Sequence, residues 1–415
     1  MDLTSHLEHR VVALETAQDL HVLVELTAPD PTPAPHREPL RLAVVLDHSG
    51  SMRGHRLDAA KRCASYLAGQ LGPRDALSIV AYGNEARLLQ PLGRPDPAAT
   101  GAALASLFAK EMTNLSAGWL KGYHEISTTE DGLRRVLLLT DGLANRGITD
   151  PARLAALAGQ AAGHGVSTTT IGVGEGFDED LLTAMADAGG GESHYAEGAD
   201  DVPGIFAREF GDLATLVAQN LTLELRPSAA VTEFGLLNDL PVTETQEGWR
   251  IEIGDAVAGQ RLRLVLALHI PGLTILGPTK VADLLLRWVA VGEDIAAHTV
   301  THPLIVAGAD PEVAATVTPD TTVTEEVVVL LAGRAMGSAR ERADAGDVRG
   351  ASDLLDEHLA RLRKVEAQQP DSPSLSSTIE ELEATARTLR HHGYGPWERK
   401  RLHYGSRSLS RKRRR

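Results

Sequence analysis

Two runs, RLAVVLD (41–47) and RVLLLTD (135–141), are apolar at nearly every position and end in aspartate. Continuous runs of this kind suit strands buried on both faces of a parallel sheet. ALSIVAY (76–82) and VSTTTIGVG (166–174) predict two more strands. Between them the period changes. HRLDAAKRCASYLAGQL (55–71) places Leu57, Ala60, Cys63, Ala64 and Leu67 on one stripe, which predicts a helix. Helices are also expected at 97–109, 116–128, 178–190 and 202–218, and at 151–165, where Pro151 opens the segment and Gly165 closes it. Repeated strand–helix alternation implies right-handed crossovers and an α/β domain at 41–218, built on a doubly wound, mostly parallel sheet.

The flanking pattern differs. Residues 9–29 read as strand, and PDPTPAPHREP (29–39) as a loop or linker, because proline fixes φ and removes donors. From 219 to 310, LTLELRPS, WRIEIGD, QRLRLVLALHI and KVADLLLRWVA are punctuated by Gly and Pro, which predicts an antiparallel, sandwich-like β-rich domain. The segment 1–40 is too short to fold alone and is expected to join it. Residues 322–392 read as amphipathic helices broken at PDSP (370–373), and 393–415 as a basic tail.

The length of 415 residues fits two or three domains, and 43% hydrophobic with 23% charged residues is a globular balance. Aromatics are only 4%, so the core must be Ala, Val and Leu, and a base-stacking platform is excluded. One cysteine, Cys63, rules out an intrachain disulfide or a Cys-based zinc cluster. No run approaches the roughly 18 apolar residues that span a bilayer. The first fifteen residues are broken by charge and lack an apolar signal core, so a cytoplasmic location is the expectation. The net charge of −15 is uneven: residues 396–415 carry +8 and the remainder −23. A body this acidic excludes nucleic-acid backbone binding over most of the surface and leaves the tail as the one candidate for it.

The chemistry sits where the strands end. The first apolar run leads into DHSGS, carrying Asp47, Ser49 and Ser51; the later run ends at Asp141 in TDG; TNLS (113–116) brings Thr113 to the same edge. Open α/β sheets bind ligands outside the carboxyl ends of their strands, near the point where strand order reverses. Three hydroxyls and two carboxylates make an all-oxygen set suited to Mg²⁺, with Mn²⁺ or Ca²⁺ as alternatives. An ion held largely by neutral oxygens stays electrophilic, so a carboxylate from another molecule can complete its shell.

On these five positions, Asp47, Ser49, Ser51, Thr113 and Asp141, the segment from about 41 to 218 resembles a von Willebrand factor A domain with a complete metal-ion-dependent adhesion site. The wider arrangement is similar to bacterial multi-domain proteins and inter-α-trypsin inhibitor heavy chains, in which β-rich segments flank the A domain. The resemblance implies a metal-dependent protein-binding module whose partner presents Asp or Glu, and not an enzyme. A rival expectation is a structural or assembly subunit acting through its helices and basic tail, with any metal only structural.

Other signals weigh less. GVGEG (172–176) lacks dinucleotide spacing, its third glycine coming one residue early. A phosphoryl-transfer aspartate needs a second acid two residues on, where Ser49 stands. His48 and His55 are expected to face solvent, as is the cluster His391, His392 and His403; Cys63 is expected to pack. The tail reads as solvated chain, or as docked on an acidic surface, its own or a partner's, or as a nucleic-acid or anionic-membrane contact. Ser406, Ser408 and Ser410 among its arginines are candidate phosphorylation sites.

Overall fold

The computed structural model describes residues 1–30, 38–109, 112–291 and 296–411. The expected proline-rich linker thus lies largely outside the described residues, as do the last four residues of the basic tail. The chain forms two compact units, Met1–Pro35 with Leu216–Arg415, and His36–Thr215. It opens with strands β1 (Asp2–Leu7), β2 (Val11–Ala13) and β3 (Gln18–Thr27), which belong to the first unit. β1 lies ahead of the 9–29 run, within the N-terminal strand segment 1–40 expected to join the β-rich domain.

The second unit is the α/β domain. Its strands are β4 (Leu40–Asp47), β5 (Ala76–Tyr82), β6 (Ala86–Gly93), β7 (Leu133–Thr140), β8 (Val166–Val173) and β9 (Gly190–Ala196). They form one sheet in the order β6-β5-β4-β7-β8-β9, parallel except for the antiparallel edge strand β6. Helices α1 (His55–Gln70), α2 (Pro97–Ala105), α3 (Leu115–Ser127), α4 (Pro151–Gly163), α5 (Glu179–Ala188) and α6 (Val202–Ala214) complete it. β4 is covered on both sides, as its continuous apolar run requires. Leu42, Val44 and Leu46 join a core with α1 and α6, while Val45 meets α3 so closely that a Cβ on Gly122 would clash with it. Strand order reverses between β4 and β7, and both strands point their carboxyl ends into that crevice. Two sequence expectations ran long. α2 stops at Ala105, and α6 stops at Ala214, so the domain closes at Thr215 rather than 218.

The first unit is a two-sheet sandwich carrying a helical bundle. Its further strands are β10 (Leu216–Pro227), β11 (Glu233–Leu236), β12 (Val242–Thr245), β13 (Gly248–Val257), β14 (Arg261–Ile270), β15 (Gly277–Ala290) and β16 (Ala297–Ala309). One sheet runs β1-β3-β14-β11 and the other β12-β13-β10-β15-β16-β2. The period-2 pattern of β3 and β14 accounts for the packing. Val22, Val24, Leu26, Leu264 and Leu266 point into the sandwich; Leu23 and Val265 point the other way. After the short α7 (Pro311–Ala314), the long α8 (Thr321–Asp344) covers that outer face with Val323, Val327 and Leu330. The opposite side of α8 packs with α9 (Val348–Glu366), α10 (Pro373–His392) and α11 (Pro396–Ser410).

The basic tail is therefore corrected over its described length: residues 396–410 are a helix in the bundle. Leu402 and Leu409 supply the apolar stripe, and Gly405 lies so close to Met336 of α8 that a Cβ there would sit 2.3 Å from its methyl. Arg399 and the Tyr394 hydroxyl both bind Asp344 at the end of α8. Over its described length this segment packs within its own chain, through an apolar stripe and an ion pair to Asp344, and is not free solvated chain. His403 is buried and bonded to Arg340 instead of solvated, and Ser410 is buried with its hydroxyl donating to the Ser406 carbonyl, which removes it as an accessible kinase target. Cys63 packs as expected, and burial pushes its thiol up to about 11. No helix among the described residues is long and apolar enough to cross a membrane.

Candidate metal centre

β4 delivers Asp47 as its last residue, fully buried at the crevice. The chain then turns through a short 3-10 segment, Gly50–Met52, anchored from below by the fully buried Met52. That turn folds the local acceptors back on themselves. The Ser49 amide donates to Asp47 Oδ1 at 2.7 Å, and the Ser49 and Ser51 hydroxyls lie 3.0 Å apart. Ser51 Oγ in turn donates to Asp141 Oδ1 at 2.6 Å, tying the end of β4 to the residue after β7.

Thr113 arrives from the loop before α3. Its amide donates to Asn145 Oδ1 at 3.0 Å, and its carbonyl accepts from the amides of Asn145 and Arg146. The neighbouring Asn114 caps α3. The loop before α3 and the loop after β7 are thus laced together. Gly142 shows where the hydroxyls converge. A Cβ placed on it would lie 3.3 Å from Ser51 Oγ, 3.6 Å from Thr113 Oγ1 and 3.9 Å from Ser49 Oγ. The three hydroxyl oxygens thus converge within 4 Å of one point beside Gly142. Asp47 stands behind this ring: its Oδ2 accepts from the Thr140 hydroxyl at 2.6 Å.

The electrostatics are unbalanced. Asp47 and Asp141 are both fully buried. Desolvation pushes the Asp47 carboxyl up to about 6, with the Asp141 charge adding to the push, and the hydrogen bonds from Thr140 and Ser49 offset it only in part. One cation is at hand: Arg56 Nη1 lies 2.7 Å from Asp141 Oδ2. Among the described residues no cluster of three or more His, Cys, Asp or Glu is placed to hold a metal, so this centre consists of hydroxyls and two aspartates. Such neutral and hard oxygen donors fit Mg²⁺-type ions and not thiophilic ones.

All five residues singled out from the sequence meet at this rim. Three contributors were missed: Thr140, Asn145 and Arg56. Each sits beside a motif already noticed, Thr140 inside TDG, Asn145 four residues beyond Asp141, and Arg56 at the start of the helix after DHSGS. None carries a spacing signal of its own. His48 is corrected as well. It is only 4% exposed and its Nδ1 pairs with the Phe108 carbonyl at 2.8 Å, so it braces the loop before Thr113 and does not face solvent. Phe108 itself is 74% exposed and Leu143, next to Gly142, 58%.

Comparison with known proteins agrees with this architecture. The family model for the von Willebrand factor type A domain matches residues 42–206. Protein sll0103 of Synechocystis sp. is 29% identical over 260 residues, covering 59% of this chain and 61% of that one. YfbK of Escherichia coli is 28% identical over 240 residues, 56% of this chain and 42% of its own. The alignments thus span about half of the length of these curated relatives. The solved structure of a von Willebrand factor type A protein from Catenulispora acidiphila superposes with a TM-score of 0.73 at 16% identity, covering 100% of this chain and 97% of that one, so the sandwich and helical bundle are shared along with the α/β unit. The doubly wound sheet, the motif-bearing crevice and the family match together identify residues 42–206 as a von Willebrand factor type A domain.

Proposed function

We propose that this domain holds one divalent cation, Mg²⁺ with Mn²⁺ or Ca²⁺ as alternatives, at Asp47, Ser49, Ser51, Thr113 and Asp141, and through it binds an Asp or Glu side chain of a protein partner. The observation that carries the reading is the ring of Ser49, Ser51 and Thr113 hydroxyls around the point above Gly142. A bound ion supplies a Lewis-acidic site with positions open to an outside carboxylate. The protein's part is to hold the ring rigid: Ser51 is fixed by Asp141, Thr113 by Asn145, and Asp47 by Thr140. Exposed Leu143 and Phe108 lie on residues adjoining the ring's loops and offer apolar contact beside a partner's acidic residue. The module binds and does not catalyse; the position that a phosphoryl-transfer mechanism needs as an acid is Ser49. The rival reading through a free basic tail is weakened, because residues 396–410 are already packed against α8.

Calorimetry of the full chain with Mg²⁺ and Mn²⁺ tests the proposal. One site per chain is expected, weakened at least about ten-fold in Ser51→Ala. Absence of divalent binding by the wild-type chain, or equal affinity in the variant, would sink it.

A further inference from the structure

The crevice holds a cation that the metal reading does not use. Arg56 is the second residue of α1, so the turn that presents Ser49 and Ser51 also fixes where its side chain starts. Its Nη1 lies 2.7 Å from Oδ2 of the fully buried Asp141, whose other oxygen already accepts from Ser51. The guanidinium is seated by the loop that follows β8. Gly174 there has φ +73°, and a Cβ on it would lie 2.8 Å from Arg56 Nη2 and 3.2 Å from Cζ. Two residues on, a Cβ on Gly176 would lie 2.6 Å from the Asp141 carbonyl oxygen. The GVGEG segment, which has no dinucleotide spacing, thus forms the wall that lets Arg56 and Asp141 meet.

We propose that Arg56 is a tethered cation that shares Asp141 with the divalent ion and so sets how tightly the domain holds metal. This rests on the metal reading above. Two buried aspartates carry two negative charges, which a divalent ion alone neutralises. Arg56 adds a third positive charge to the same cluster and engages one oxygen of Asp141. It therefore raises the cost of loading the ion and, without metal, supplies a charge partner for the buried Asp141 carboxylate. Arg56 is a positioning residue whose work is electrostatic.

The test measures Mg²⁺ affinity by calorimetry, with no partner present, for the wild-type full chain, Arg56→Gln and Arg56→Lys. Glutamine keeps a donor for Asp141 and removes the charge; lysine keeps the charge. Arg56→Gln is expected to bind Mg²⁺ about ten-fold or more tightly than wild type, and Arg56→Lys close to wild type. Melting temperatures give a second readout. In EDTA, Arg56→Gln should melt below wild type, and saturating Mg²⁺ should close the gap. Equal affinity in wild type and Arg56→Gln, or weaker binding in Arg56→Gln, overturns the inference while the metal reading stands. If neither wild type nor variant binds Mg²⁺ or Mn²⁺, the parent reading fails and takes this one with it.

Discussion

Two of the places where the α/β unit buries acids are treated in opposite ways. Glu209, on α6, is enclosed by His194 Nε2 at 2.7 Å, the Thr169 hydroxyl at 3.0 Å and Arg135 at 3.5 Å. Burial alone would raise its pKa, yet the bonds and charges of His194 and Arg135, with the Thr169 hydroxyl, bring the carboxyl down to about 2. Asp47 is as deeply buried and receives hydrogen bonds from Thr140 and Ser49 but feels the charge of Asp141, so desolvation pushes its carboxyl up to about 6. The first cluster is finished: its charge is met by groups that cannot leave. The second is left with surplus negative charge at the mouth of the sheet. A buried acid that is fully compensated fixes α6 to β7, β8 and β9; a buried acid left short of positive charge is ready for an ion.

The largest effect should come from breaking the finished cluster. Glu209→Ala leaves Arg135 and His194 facing each other without their anion, and is expected to cost about 3–5 kcal/mol of stability. Divalent-ion affinity should not change, since no member of the cluster touches the crevice. Urea unfolding with and without Mg²⁺ reads both quantities. The same cluster sets an acid limit. A carboxyl held at about 2 in the folded chain, against 4.5 unfolded, contributes stability fully present above about 4.5 and lost as pH falls toward 2. Glu209→Ala should flatten the stability slope in that window, and an unchanged slope would show that the cluster is not what titrates.

These two regions were not equally legible. The metal-site residues lie within two short motifs and a loop, each at the end of a strand whose unbroken apolar run marks it as central, so local sequence was enough. Glu209 and His194 carry no such mark. They come from α6 and from β9, an edge strand (GGESHYA) whose polar character conceals its pairing, and only the sheet order brings them together. β6, the antiparallel edge, escaped notice for the same reason. In the other unit, the β-rich and helical character was legible from period 2 and period 3.6. α11 was not, because its arginines and lysine dominate the composition, and of the residues that turn inward only Leu402 and Leu409 are apolar side chains, beside Lys400, His403, Gly405 and Ser410. Thr140, Asn145 and Arg56 show the matching limit at the crevice: residues that orient ligands have partners distant in sequence, and no spacing rule names them.

A smaller effect, opposite in sign, sharpens the contrast. Asp47→Asn removes a desolvated charge while keeping an oxygen for the Ser49 amide. The Thr140 hydroxyl can turn to the Gly142 carbonyl, 3.3 Å away, and accept from the new amide. In EDTA the variant is expected to be more stable than wild type by about 1–3 kcal/mol. Its Mg²⁺ affinity should fall sharply, because one of two charges facing the ion is gone. A variant less stable than wild type in EDTA would mean that Asp47 is compensated as Glu209 is, and the proposed asymmetry would be lost.

The smallest stability effect should come from Thr113→Val. Thr113 is held through its backbone, by the Asn145 side chain on one side and the Asn145 and Arg146 amides on the other, so its position does not depend on its hydroxyl. Valine keeps the volume in this buried site and removes one oxygen from the ring over Gly142. Stability in EDTA should stay within about 1 kcal/mol of wild type, while Mn²⁺ affinity, followed by electron paramagnetic resonance of the free ion, should fall at least about ten-fold. That is the inverse of Glu209→Ala, where stability collapses and ion affinity holds. If both substitutions move both quantities together, the two clusters are one cooperative unit, and the division between a finished acid and a waiting one has no physical basis.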